Sequence, residues 1–252
     1  MDSTTLILIT GAVVAGFVQG LSGFAFGLVA TSIWAWWLPP QLVAVMSVFG
    51  ALVGQLIAVF SNRRNLELPL LWPMVAGGLA GLPIGLLLLP RLDSAWFQFG
   101  VGAMLALWCP LMLASGRIPH VTFGGRPADG LIGLAGGFTG AVGGFTGPIP
   151  TLWSTLRGWP KQQQRVVIQN FNLVMLAVTF ASYLASGVVT RPMWAHFVWV
   201  VPVLFVPVLL GARLFKRISA EAFKRVVLTL LALSGLALLV RSLPVVLQRL
   251  AG

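Results

Sequence analysis

The sequence predicts an all-α polytopic membrane protein made of two inverted-topology repeats. Each repeat is read as a broken or re-entrant helical hairpin followed by three transmembrane helices. Three observations carry this. Of 252 residues, 58% are hydrophobic and only 8% charged, against about 25% charged in a soluble domain. The apolar runs are long and unbroken, which suits helices of about 20 residues and not barrel strands that alternate over about ten. Two glycine-rich stretches, GFVQGLSGFAFG (16–27) and GGFTGAVGGFTG (136–147), match at an offset of 120.

The first repeat covers residues 1–115. Its hairpin (5–38) consists of Thr5–Gly20 and Phe24–Leu38, split by LSG. Glycine costs roughly 1 kcal/mol against alanine in a helix interior, so such a cluster marks a break. Three full-length apolar runs follow: Leu42–Phe60, Leu70–Leu89 and Ala95–Ala114. Residues 116–129 form a cytoplasmic linker within the polar run SGRIPHVTFGGRPAD, Ser115–Asp129. The second repeat (130–252) opens with a hairpin (130–157) of Gly130–Gly140 and Phe145–Leu156. It continues with Val166–Ser186, Met193–Leu214 and Ala222–Val240. Pro40 and Thr31 also fall on Pro160 and Thr151, and from Gly85 the match continues at an offset of 126, onto Gly211.

Basic residues set the expected orientation, because they concentrate on the cytoplasmic side. If each hairpin crosses once, nine Lys/Arg oppose seven. If each enters and leaves by one face, twelve oppose four, and only Arg91, Arg191, Arg241 and Arg249 lie outside. The second arrangement has the stronger asymmetry. It leaves three spans per half, so the second half is inverted, and it places both termini outside. The N-terminal MDSTTLILITG lacks a basic n-region and reads as uncleaved. Trp34, Trp36, Trp37, Trp72, Trp96, Trp153, Trp159 and Trp194 lie near segment ends, the pattern of an interfacial belt.

Interrupted helices in inverted repeats form the sites of many secondary transporters. The freed N–H groups and dipole ends at such breaks attract anions. Two breaks, one per half, meeting from opposite faces would form one site. Its candidate residues are Gln19, Gly20, Ser22 and Gly23 in the first half, and Thr139, Gly140, Gly143, Gly144 and Thr146 in the second. KQQQRVVIQNFN adds Arg165, Gln169 and Asn172, which share one helix face with Gln162. Glycines four apart, as in Gly16/Gly20 and Gly136/Gly140, also serve plain helix packing in lipid.

Several classes are excluded or disfavoured. The net charge of +11 sits in short gaps between spans, so it orients the chain and does not imply nucleic acid. Cys109 is the one cysteine, and His120 and His196 are the two histidines. This residue set implies no cofactor, no metal and no enzyme. The five acids, Asp2, Glu67, Asp93, Asp129 and Glu221, fall at termini, loops or segment edges, where none would act as an intramembrane proton relay.

Through GFVQGLSGFAFGLVA (16–30) and GLAGGFTGAVGGFTGPIPTLW (133–153), the sequence resembles the sulfite exporter TauE/SafE family of membrane permeases. The resemblance spans essentially the whole chain. Its first motif departs from the family pattern, with FAFG in place of a more glycine-rich version. The resemblance implies transport, mostly outward, of small anions: sulfite, sulfonates or related sulfur-containing or organic anions. An uptake permease with proton or sodium coupling, and a non-transporting scaffold or sensor subunit, are the rival readings. The expected partners are a small anionic substrate and the lipid bilayer of a cytoplasmic (inner) membrane. Oligomeric state is open, a homodimer being one arrangement.

Overall fold

The first helix, α1 (Ser3–Ser22), runs through Gly11, Gly16 and Gly20 without interruption. Asp2 caps its start by accepting the Thr5 N–H. It stops at Gly23, whose φ of 85° is the left-handed cap that glycine adopts without strain. The chain then reverses into α2 (Phe26–Trp34). Trp34 Nε1 donates to Ile7 O at 3.0 Å, so the end of α2 returns to the beginning of α1. The structure is a computed structural model, and it describes residues 2–61, 68–214 and 220–251. Arg63, Arg64, Lys216 and Arg217, which enter the Lys/Arg count above, lie outside the described residues, as does Glu67.

Three long helices follow: α3 (Pro40–Ser61), α4 (Leu68–Leu88) and α5 (Ser94–Ala114). The second half repeats the plan with α6 (Gly125–Gly143), α7 (Pro148–Leu156), α8 (Lys161–Ala185), α9 (Arg191–Leu214) and α10 (Ala220–Ala251). No strand occurs among the described residues. Among the described residues, seven helices are long and apolar enough to cross a membrane: α1, α3, α4, α5, α8, α9 and α10. The chain is therefore an all-helical, multi-pass integral membrane protein.

The hairpins differ from the expected pairs of short pieces of similar length. Each has one long arm, of 20 or 19 residues, and one arm of 9. The long arms tolerate glycine because neighbours fill the space that side chains would take. Gly158, with φ 67°, follows α7, and Leu38 and Trp159, each before a proline, are biased out of the α region before the next helix starts. The linker is also shorter than expected: α6 starts at Gly125, so Asp129 lies in its second turn. There Asp129 is buried and accepts from Trp153 Nε1 at 2.7 Å. It is not the loop carboxylate that its polar surroundings suggest. Trp34 is likewise fully buried and does not belong to an interfacial belt. At the C-terminus α10 continues past Val240 to Ala251 with Pro244 inside it.

Each long hairpin arm packs against a helix of the other half. Helix α1 lies alongside α9: Thr5 meets His196, Gly16 faces Leu204, and Gly20 faces Val208 and Gly211. Partner numbers rise together, so the two run in the same direction. Helix α6 lies alongside α4 in the same manner, with Gly77 against Gly130, Gly81 against Leu134 and Gly85 against Phe138. Glycines on both sides let these backbones approach closely. Among the other long helices, α5 with α10 and α3 with α8 also pair across the halves. Trp108 of α5 donates to Pro148 O of α7 at 2.8 Å, and Ser234 of α10 donates to Ser32 O of α2 at 3.2 Å.

Candidate functional site

The two glycine breaks touch. A Cβ on Gly27, in the first turn of α2, would collide with the carbonyl of Gly144. A Cβ on Gly147, which opens α7, would lie 3.0 Å from the Phe24 ring and 2.9 Å from Asn172 Nδ2. Glycine is required at Gly27 by this approach of backbone to backbone, whereas at Gly147 the neighbours are side-chain atoms that can shift. Gly144 is itself left-handed, φ 76°, and sits against Ser47 and Val48 of α3.

Side chains from three helices brace the breaks. Gln55 of α3 donates to Gly23 O at 2.7 Å. Gln169 of α8 places Nε2 over the open face of Gly23. Thr31 of α2 donates to Gly143 O at 3.1 Å and shares a 2.8 Å bond with Ser47. Gly23 and Gly143 match at the offset of 120, so the same carbonyl is held in both halves by different devices. In the first half the clamp is a glutamine from the same half. In the second it is a threonine from the other half.

The predicted residues divide into groups. Gly23, Gly144, Gln169 and Asn172 come together where the breaks meet. Ser22 and Thr139 brace their own turns. Ser22 Oγ accepts from Ala25 N at 3.1 Å, and Thr139 Oγ1 lies 2.9 Å from the carbonyls of Ala135 and Phe145. Gly140 and Gly143 make room for Thr146 and Phe145 within the same hairpin. Thr146 itself is buried in the second break. Gln19 bridges α1 to α3 through a 3.1 Å bond to Ala51 O, leaving its Oε1 buried without a partner. Gly20 faces the α9 backbone, a packing position. Arg165 is exposed, one helical turn before Gln169.

Thr31, Ser47, Gln55, Phe24, Gly27 and Gly147 belong to this locale but were not singled out as site residues. A signal for most of them was present. Ser47 and Gln55 interrupt an otherwise apolar span, where polar groups are costly and face a cavity or one another. Thr31, Gly27 and Gly147 take part in the repeat match.

The chemistry available is that of neutral dipoles. The side chains that meet at the breaks, Phe24, Ser47, Gln55, Gln169 and Asn172, carry no charge. The first helical bond of α2 runs from Val29 N to Ala25 O, so Phe26, Gly27 and Leu28 N–H have no partner within the helix. In α7 the corresponding supply is smaller, because Pro148 and Pro150 have no N–H. Asn172 is 1% exposed and its Oδ1 has no hydrogen-bond partner. Two converging helix N-termini with amides between them can hold a small anion.

The sulfite exporter TauE/SafE family profile matches residues 8–238. The chain belongs to this family. The TauE/SafE match covers both hairpins and all seven candidate spans, in whole or in large part. It makes this chain a membrane transporter of sulfur anions. No curated protein and no solved structure matches the chain.

Proposed function

We propose that this TauE/SafE protein exports sulfite, a sulfonate or a closely related small anion across a cytoplasmic membrane, through the place where the two glycine breaks meet. The contact of Gly27 with Gly144 and of Phe24 with Gly147 carries the reading. It puts two helix N-termini and the Gln169 and Asn172 amides around one point. Arg165, a turn nearer the inner end, attracts the anion from the cytoplasm. An inside-negative potential drives each negative charge outward with about 2.3 kcal/mol per 100 mV, so export needs no coupling ion.

In this reading the halves are inverted repeats, 1–115 and 130–252, with both termini outside. The return of Trp34 to Ile7 and of Trp153 to Asp129, each bringing a hairpin's end back to its start, supports it. Alternating access is then rocking of one hairpin bundle against the other. Purified protein in liposomes should move sulfite or a sulfonate under an imposed potential. Absence of flux for every sulfur oxyanion would sink the proposal.

The rival reading, proton-linked uptake, draws on Asp129, a carboxylate buried near the mouth of the second hairpin. It requires flux to follow a proton gradient and to stop in Asp129→Asn. Export predicts that potential alone suffices and that Asp129→Asn still transports.

A further inference from the structure

We infer that the ligand of this site is a singly charged oxyanion carrying one O–H, hydrogen sulfite or an acid oxyanion of the same shape. The fully deprotonated dianion and the sulfonate lacking the hydroxyl are discriminated against. The inference rests on the reading of the two breaks as the substrate site and deepens it.

Charge is the first argument. Each helix N-terminus presents roughly half a positive charge. The two that converge, those of α2 and α7, together balance at most about one negative charge, the α7 end giving less because Pro148 and Pro150 have no N–H. The side chains that meet there are neutral, and Arg165 stands exposed a turn away. A dianion would leave one charge uncompensated at membrane depth.

Hydrogen bonding is the second argument. A deprotonated oxyanion only accepts. It suits the N–H groups of Phe26, Gly27 and Leu28, which have no partner within α2. It does not suit Asn172 Oδ1, which is buried, has no partner, and belongs to the amide facing Gly147. That oxygen needs a donor, and a buried acceptor left unmatched is penalised. Pro148 and Pro150 shift the balance the same way by removing two donors from the α7 end. One ligand O–H aimed at Asn172 Oδ1, with the other oxygens on the α2 N–H groups, satisfies both sides. Sites built to bond a ligand hydroxyl reject the analogue lacking it far more strongly than apolar pockets do.

The test uses the full chain purified in detergent, with binding read by calorimetry. Sulfite is titrated at several pH values across its second ionisation. Methanesulfonate keeps three oxygens and one charge but has a methyl where the hydroxyl stands. Sulfite affinity should follow the singly protonated form, so the apparent Kd rises about tenfold per pH unit above that ionisation. None of the side chains meeting at the breaks titrates, so this dependence reports the ligand. Methanesulfonate should bind at least about tenfold more weakly, and Asn172→Leu should remove the difference. Equal binding of the two anions, or affinity that follows the dianion, overturns the inference while leaving a sulfur-anion site in place. Binding of neither, with no flux in liposomes, overturns the site itself. If Asn172→Leu does not fold, the comparison of the two anions on the wild-type chain decides alone.

Discussion

Thr31 is a small residue with a large positional role. Its hydroxyl is completely buried and is the donor that holds Gly143 O. Thr31→Val keeps the shape and leaves that carbonyl unpaired, at a cost of about 1–3 kcal/mol. Thermal melting of the purified chain should fall for Thr31→Val and recover in Thr31→Ser. Equal melting of the valine and serine variants would show that the bond holds nothing. Gly27 gives a sharper contrast. A Cβ there meets the Gly144 backbone, which has no flexible end to move aside. Gly100, in contrast, has nothing within 4 Å of an added Cβ. Gly27→Ala should therefore abolish transport or folding, whereas Gly100→Ala should be neutral or stabilising by up to about 1 kcal/mol. Similar melting of both variants would refute the close contact of the breaks.

At the scale of elements, the long arms are held by glycine seams and the helix ends by caps. Gly133 and Gly137 of α6 face the carbonyls of Met74 and Gly78 of α4. Gly20 of α1 faces Val208 O of α9. This is why glycine spacing alone misplaces Gly20: the same four-residue period marks a seam and a break. The discriminating signal is local. Gly23 and Gly144 end helices with positive φ, while Gly16 and Gly20 stay inside one. The hairpins and most long helices were legible from hydrophobic runs and the repeat. The start of α6 was not, because Arg126, Pro127 and Asp129 read as loop, and only the Trp153 partner explains a buried acid there. Asp93 shows how a cap ties two elements together. It accepts from Ala95 and Trp96 N–H at the start of α5 and pairs with Arg249 of α10. The Trp96 and Ala95 bonds and the Arg249 guanidinium hold its carboxyl below the ordinary value of 3.8. A depressed carboxyl stabilises the fold above its ordinary pKa and loses that contribution as pH falls through the depressed value. The melting difference between wild type and Asp93→Ala should thus be steady near neutrality and shrink in acid below about pH 4. A difference that grows in acid would contradict the pairing.

For the whole molecule, the number of times each hairpin crosses sets the topology. The ends of both hairpins come back together: Trp34 returns to Ile7, and Trp153 to Asp129. A chain that leaves where it entered contributes an even number of crossings, so the three helices after it carry the chain to the other side. Four exposed positions test this, each given one cysteine in a Cys109→Ala background: Ser94, Arg117, Lys161 and Thr190. Returning hairpins put Arg117 and Lys161 on the cytoplasmic face and Ser94 and Thr190 on the outer face. Single-crossing hairpins would instead put Ser94 with Lys161 and separate Arg117 from Lys161. Impermeant thiol reagent added to intact cells should therefore modify positions 94 and 190 and spare 117 and 161 until the membrane is opened. Labelling of 94 and 161 from one side would remove the inversion. It would also remove the physical reason for two helix N-termini to reach one anion from opposite faces, because parallel repeats would bring both breaks in from the same side.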